Sequence, residues 1–371
     1  MTDPLADWIR TVHATLLPDS SAARGASWGP VRMVHRTTRP NWFAAIDNAW
    51  ACPSFDQPGE EFTPTDGSDE ADRTDRKART IRINVITAAF VDIPPHIAPP
   101  PLRRSALGPR GEAPIPPGNS TRLTWEEQGD QVVGWDPQSG CALLLRSTPL
   151  NGYDLVSPMR WLVHWGIAAA GGILMHAASV GRPEGKSVRG ALLIGEAGYG
   201  KSTTTLACLS RGWLTCGDDA VAVIQDGKSW VAHAIYAAVK TKLSHPASAP
   251  PDLPSAGVNS VTWDIAGTKR VHLLSSTDSQ TLCQRMVIDA LILLDPDADP
   301  GANCVAATPA QARLRATPST LLPLPFEREA ALQRIGALAS QVPATLLPRR
   351  ATLAQTMIDL ARLLPGSTQL P

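Results

Sequence analysis

Residues 195–202 read Gly-Glu-Ala-Gly-Tyr-Gly-Lys-Ser, the GxxxxGK(S/T) spacing of a loop that holds phosphates. Glycines let the chain turn tightly enough to aim successive N–H groups at one phosphate chain. A helix opening directly afterwards adds the positive end of its dipole at the same place. Gly195, Glu196, Ala197, Gly198, Tyr199, Gly200, Lys201, Ser202 and Thr203 are therefore the expected nucleotide-binding residues. The Lys201 ammonium would reach the β- and γ-phosphates, and the Ser202 hydroxyl would ligate Mg²⁺. The pattern implies ATP and Mg²⁺ as cofactors.

A loop of this kind serves kinases, GTPases and motors alike, so the next acidic residues matter. Gly217-Asp218-Asp219 closes the apolar segment Trp213-Leu214-Thr215-Cys216, and 218 − 201 = 17 residues separate it from Lys201. That is room for one helix and a returning strand. On an extended chain the two carboxylates would face opposite sides. One can hold Mg²⁺ while the other accepts a proton from an incoming hydroxyl. Read alone, Gly-Asp-Asp is a surface turn; beside a phosphate loop the catalytic reading takes precedence. Asp295 is a rival metal carboxylate at the end of Ala290-Leu291-Ile292-Leu293-Leu294, but it opens the turn-like Asp-Pro-Asp-Ala-Asp-Pro. His176, in Leu174-Met175-His176-Ala177-Ala178, reads as a core histidine unless the site reaches it.

The elements that must position these groups follow from pattern. Ala191–Ile194 is an apolar strand before the loop, and Thr203–Arg211 is a helix that stops at Gly212. Ser157-Pro158 looks like an N-cap and first helical residue, with the helix ending at Gly171-Gly172. Further strands are expected at Ile173–Val180, Trp213–Ile224 and Val287–Leu294. Helices are expected at Pro309–Arg315, behind the N-cap Thr308, at Glu327–Ser340 and at Ala351–Leu364. Upstream, residues 1–80 show little periodicity, Asp56–Arg79 is a polar charged loop, and Thr80–Phe90 reads as a strand. Pro94–Pro117 is a proline-rich linker or loop, and Gln131–Trp135 with Cys141–Arg146 form a hairpin. The expected division is an N-terminal, partly β domain at 1–150 and an α/β domain at 151–371.

With 34 Lys+Arg against 34 Asp+Glu, no global charge draws the chain to nucleic acid or membrane. Six scattered cysteines without CxxC spacing read as free thiols. No signal peptide or 18-residue apolar span is apparent, so a cytoplasmic protein is expected.

His176-Ala177-Ala178, the loop at 195–202, Arg211-Gly212 and Gly217-Asp218-Asp219, at this Lys-to-Asp spacing, resemble the catalytic domain of HPr kinase/phosphorylase. That family shares its phosphate-loop core with phosphoenolpyruvate carboxykinases and phosphorylates a serine hydroxyl of a small carrier protein. The resemblance implies an α/β P-loop kinase domain. Lys201 becomes the phosphate-binding lysine, Ser202 and Asp218 the metal ligands, Asp219 the general base, and His176 an active-site histidine. It also implies a homo-oligomer, and the stretch Arg182–Arg189 reads as an inserted turn. The family's Ile-Glu-Ile-Arg-Gly strand, with its second metal-binding Glu, is replaced here by Ala234-Ile235-Tyr236-Ala237-Ala238-Val239-Lys240-Thr241-Lys242-Leu243. Together with Lys269 and Pro318-Ser319-Thr320, that segment is closer to HPr-kinase-like proteins found with peptide natural-product genes, including lasso-peptide clusters. There the acceptor is a precursor peptide.

Lys240 and Lys242 share a strand face. They form either a solvated edge or, at Lys240, a cation for the transferred phosphoryl group. The expected function is transfer of the γ-phosphoryl group of ATP to a hydroxyl, a serine of a peptide or small protein first. A non-catalytic nucleotide-dependent regulator and a kinase of a free small molecule are the alternatives. Trp28, Trp42, Trp50, Trp125 and Trp135 either fill a small β core or anchor the acceptor.

Overall fold

A computed structural model describes residues 3–20, 23–42, 49–51, 80–98, 100, 102, 104–126, 131–150, 152, 154, 156–185, 187–242, 263–265, 269–274 and 281–364. The expected loop at Asp56–Arg79 lies outside them. The chain divides into two compact units, Met1–Phe43 with Ser54–Thr148, and Ala44–Pro53 with Pro149–Pro371. No helix among the described residues is long and apolar enough to cross a membrane.

The first unit opens with a helix that sequence periodicity missed, α1 (Pro4–Leu16). The Asp3 carboxylate accepts from the N–H groups of Leu5 at 3.0 Å and Ala6 at 3.3 Å, and Pro4 occupies the first turn. Leu5, Trp8, Ile9, Val12 and Leu16 are its buried stripe. A six-stranded sheet contains β1 (Arg24–Trp28), β2 (Val31–Thr37), β3 (Ile81–Ala89), β4 (Arg122–Glu126), β5 (Gln131–Trp135) and β6 (Cys141–Arg146), in the order β1-β2-β3-β6-β5-β4. The hairpin β5–β6 forms as expected. The proline-rich stretch is not a bare linker. Ile97, Leu102 and Leu107 pack on the α1-side core, and Trp8 Nε1 donates to the Ala98 carbonyl at 2.9 Å.

The second unit is mixed α/β. Its helix α2 (Arg160–Ala169) begins later than Ser157-Pro158 suggested. Tyr236 Oη donates to the Pro158 carbonyl at 2.8 Å, and Met159 takes a left-handed φ of 54°, so the first helical residue is Arg160. The stop is as expected: Gly171, at φ +80°, and Gly172 donate to the carbonyls of Ala168 and Ile167, closing the last turn. The expected strand Ile173–Val180 is broken at His176-Ala177 into β7 (Ile173–Met175) and β8 (Ala178–Glu184), because the halves pair with different partners. A hairpin joins β8 to β9 (Ser187–Ile194), turning at Gly185, and the loop leads into α3 (Lys201–Leu209).

The sheet continues with β10 (Val221–Asp226), β11 (Ser229–His233) and the long β15 (Arg285–Asp295), reached after a three-stranded ribbon. That ribbon is β12 (Ala238–Lys242), β13 (Trp263–Ile265) and β14 (Lys269–Leu273), in the order β12-β14-β13. Strand β9 runs parallel to β15, while β11 pairs with its first half and a later strand with its second. After β16 (Val305–Ala307) come α4 (Pro309–Leu321), capped by Thr308 with Gln311, α5 (Arg328–Gln341), β17 (Ala344–Pro348) and α6 (Leu353–Leu363). Alternate residues of β9 and β15 enter two different cores. Leu192, Ile194, Leu291 and Leu293 join Ala312, Ala316 and Leu338 of α4 and α5. Ala191, Leu193, Ile292 and Leu294 join Met357, Leu360 and Ala361 of α6. Burial on both faces explains why these strands read as unbroken apolar runs.

Candidate functional site

The loop between β9 and α3 begins buried at Gly195 and emerges through Glu196, Ala197 and Gly198. Tyr199 folds back, its N–H donating to the Glu196 carbonyl at 3.2 Å. Gly200 stands at φ +96° with nothing within 4 Å of where a Cβ would project. An L side chain would be strained there and would fill the hollow of the loop. No side chain caps α3, so its first-turn amides, Thr203 among them, are left to another acceptor. Lys201, buried at 6% exposure, spans the hollow: its Nζ donates to the carbonyls of Gly195 at 2.6 Å and Glu196 at 3.1 Å.

The acidic pair does not lie on one extended strand. Leu214 bridges to Gly181 and Thr215 to Leu282, and the chain then turns through Gly217 at φ +145° and Asp219 at φ +70° before β10 begins. The left-handed backbone at Asp219 overturns the expectation that the carboxylates face opposite ways. Both converge on Lys240, Asp218 Oδ2 accepting from its N–H at 3.3 Å and Asp219 Oδ2 pairing with its ammonium. Lys240 is 8% exposed, which removes the solvated-edge reading. The Lys242 side chain is outside the described residues.

The two aspartates live in different surroundings. Asp218 is 3% exposed; Ser202 Oγ donates to its Oδ2 at 2.7 Å, and its Oδ1 is buried with no partner. Burial, and then the neighbouring Asp219 charge, push its pKa up. Burial pushes Asp219 the same way, but the Lys240 ammonium, the hydrogen bond from His176 and the Arg160 charge outweigh it and hold it well below the ordinary carboxylate range.

His176 sits at the break between β7 and β8, its backbone N–H donating to Thr320 Oγ1 of α4 at 3.3 Å. Its ring bridges the site: Nε2 lies 3.1 Å from Lys201 Nζ and Nδ1 lies 3.0 Å from Asp219 Oδ1. Since the ammonium can only donate, Nε2 is the acceptor and Nδ1 carries the proton that Asp219 receives. The chain Lys201–His176–Asp219–Lys240 is therefore continuous. Burial lowers the Lys201 pKa, an effect opposed by Asp218 and Asp219.

Lys201, Ser202, Asp218, Asp219, His176 and Lys240 thus meet in one place. Asp295 pairs instead with Arg315 at 3.6 Å. Sequence reading missed Arg160, whose Nη1 is 3.7 Å from Asp219 Oδ2, and it singled out Thr320 within Pro318-Ser319-Thr320 without its contact to His176. A cation at the start of a helix was the one signal available for Arg160.

No family model matches this sequence, and no curated protein matches it. Among solved structures, the Hpr(Ser) kinase/phosphatase from Coxiella burnetii aligns over 51% of this chain and 93% of its own, at 18% identity and a TM-score of 0.28.

Proposed function

We propose that this chain is an ATP- and Mg²⁺-dependent kinase that transfers the γ-phosphoryl group to a serine hydroxyl of a peptide or small protein. The observation that carries the reading is the junction of Ser202 and Asp218 beside Lys201: a buried carboxylate oxygen without a partner, next to a hydroxyl and an ammonium. The donor set suits Mg²⁺, which takes one or two protein oxygens and completes its shell with phosphate and water. No cluster of three His, Cys, Asp or Glu side chains stands ready for a metal among the described residues, in keeping with a shell that substrate must finish. Bound Mg²⁺ would neutralise charge on the β- and γ-phosphates.

The chain's own residues have separable tasks. The turn at Gly198–Gly200 and the first amides of α3 bind the phosphates. Lys201, already lying across the loop, moves the two donors that engage the Gly195 and Glu196 carbonyls to phosphate oxygens. Asp219 orients the acceptor hydroxyl and takes its proton. Its low pKa makes it a weak base, which suffices where the attacking oxygen forms little bond before the leaving group departs. His176 keeps Asp219 in place by donating from Nδ1. Lys240 neutralises Asp219 and stands beside the developing charge.

The replacement of the family's second metal-binding Glu by the Ala234–Leu243 segment favours the second reading, a nucleotide-dependent regulator without transfer activity. One experiment decides: incubation with labelled ATP, Mg²⁺ and a panel of serine-containing peptides, followed by mass spectrometry. The kinase reading expects an 80 Da increment on peptide, as one HPO₃ adds, matched by ADP. Nucleotide binding without ADP formation on any acceptor supports the regulator.

A further inference from the structure

Arg160 has no task in the mechanism above, yet its placement is costly. A cation on the first residue of α2 opposes the positive end of the helix dipole. It is delivered there by Met159, a non-glycine residue in a left-handed conformation at φ 54°, with the preceding carbonyl held by Tyr236. The guanidinium makes no hydrogen bond among the described residues. Its Nε is buried with no partner, and its nearest approach to a carboxylate, 3.7 Å from Asp219 Oδ2, is beyond hydrogen-bond reach. Asp219 is already engaged on both oxygens, Oδ1 by His176 Nδ1 and Oδ2 by the Lys240 ammonium, and its remaining lone pairs are those that serve the acceptor hydroxyl.

The charges around this point are unbalanced. Among the described residues four cations, Lys201, Lys240, Lys269 and Arg160, stand against the carboxylates Asp218, Asp219 and Glu196. Lys269 lies on the ribbon face that carries Lys240, one diagonal step away across the β12–β14 pair. A surplus of cation with idle donors calls for an anion with several oxygens that the chain itself does not supply.

We propose that Arg160 is a further catalytic residue, whose guanidinium contacts equatorial oxygens of the phosphoryl group in transit. This rests on the kinase reading. Asp219 marks the attacking oxygen, which must lie within about 3 Å of it, with phosphorus roughly 3–3.5 Å beyond. A guanidinium already beside Asp219 spans that gap, and its planar fork matches two phosphoryl oxygens where an ammonium matches one. The contact strengthens as charge spreads over those oxygens, so it serves the transition state more than bound ATP.

The test needs no acceptor. Calorimetry would compare Mg²⁺·ADP alone with Mg²⁺·ADP plus aluminium fluoride, a mimic of the planar phosphoryl group, in the wild-type chain, Arg160→Gln and Arg160→Lys. Arg160→Gln should bind ADP within about threefold of wild type and lose roughly 10²–10³-fold for the aluminium fluoride complex. Arg160→Lys should fall between, and guanidinium ion should restore part of the loss in Arg160→Gln. Unchanged aluminium fluoride affinity in Arg160→Gln, or equal losses for both ligands in a folded Arg160→Lys chain, would overturn the assignment. Failure of the wild-type chain to bind either ligand would overturn the kinase reading and Arg160's role with it.

Discussion

Asp218 and Asp219 are neighbours in sequence and opposites in setting. The first is sealed, touched by one hydroxyl and one amide, and keeps a bare oxygen. The second is partly open and surrounded by Lys240, His176 and Arg160. Burial dominates one carboxyl and cations dominate the other, so their pKa values move apart. Two acids separated in this way are suited to different work, and pairs so divided mark acid–base and metal assignments elsewhere. The turn through Gly217 and the left-handed Asp219 sets the two carboxylates in these different places. With an extended residue 219, the second carboxylate would leave the cluster.

The sharpest way to break this contrast is to neutralise each acid in turn. Asp219→Asn should retain Mg²⁺·ATP binding and lose transfer by at least ~10³-fold, read as labelled phosphopeptide per minute. Retained turnover would remove Asp219 from its role. Asp218→Asn should cost roughly 10²-fold in turnover, with the Mg²⁺ concentration for half-activity shifted upward. A smaller effect, about 10-fold in kcat with KM for ATP nearly unchanged, is expected of His176→Ala, because it removes support for Asp219 and not a ligand of the nucleotide.

The contrast has a counterpart among the histidines. His176 is bonded on both ring nitrogens within the cluster, whereas His35 in β2 lies buried with its Nε2 3.1 Å from Thr87 Oγ1, and burial drives its pKa down to about 3. Between about 6.5 and that value the unfolded chain holds a proton the folded chain lacks. His35 therefore favours folding at neutral pH, and this contribution is lost as pH falls, by up to ~1.4 kcal/mol per unit. His35→Gln should flatten the acid limb of a urea-stability profile below pH 6.5 without altering transfer; an unchanged acid limb would contradict the assignment.

Much of the site was legible because its signals are local. The glycine–lysine–serine loop, the flanking apolar strand and the Gly-Asp-Asp turn carry their identity in consecutive residues. The Thr308 cap and the 131–146 hairpin were legible for the same reason. What escaped depends on distant partners. The break at His176-Ala177 exists because β7 and β8 pair with different strands, which no window of residues reports. The start of α2 was displaced by a hydroxyl 78 residues away, at Tyr236. The helix α1 was the avoidable miss, since Asp3-Pro4 and the spacing of Leu5, Ile9, Val12 and Leu16 are an ordinary helix opening.

The division of labour between the adjoining acids is tested most directly by titrating Mg²⁺ against a fixed concentration of a non-hydrolysable ATP analogue, in wild type, Asp218→Asn and Asp219→Asn. The affinity gained with Mg²⁺ should vanish in Asp218→Asn and persist in Asp219→Asn. Equal gains in both variants, or loss in Asp219→Asn alone, would contradict it.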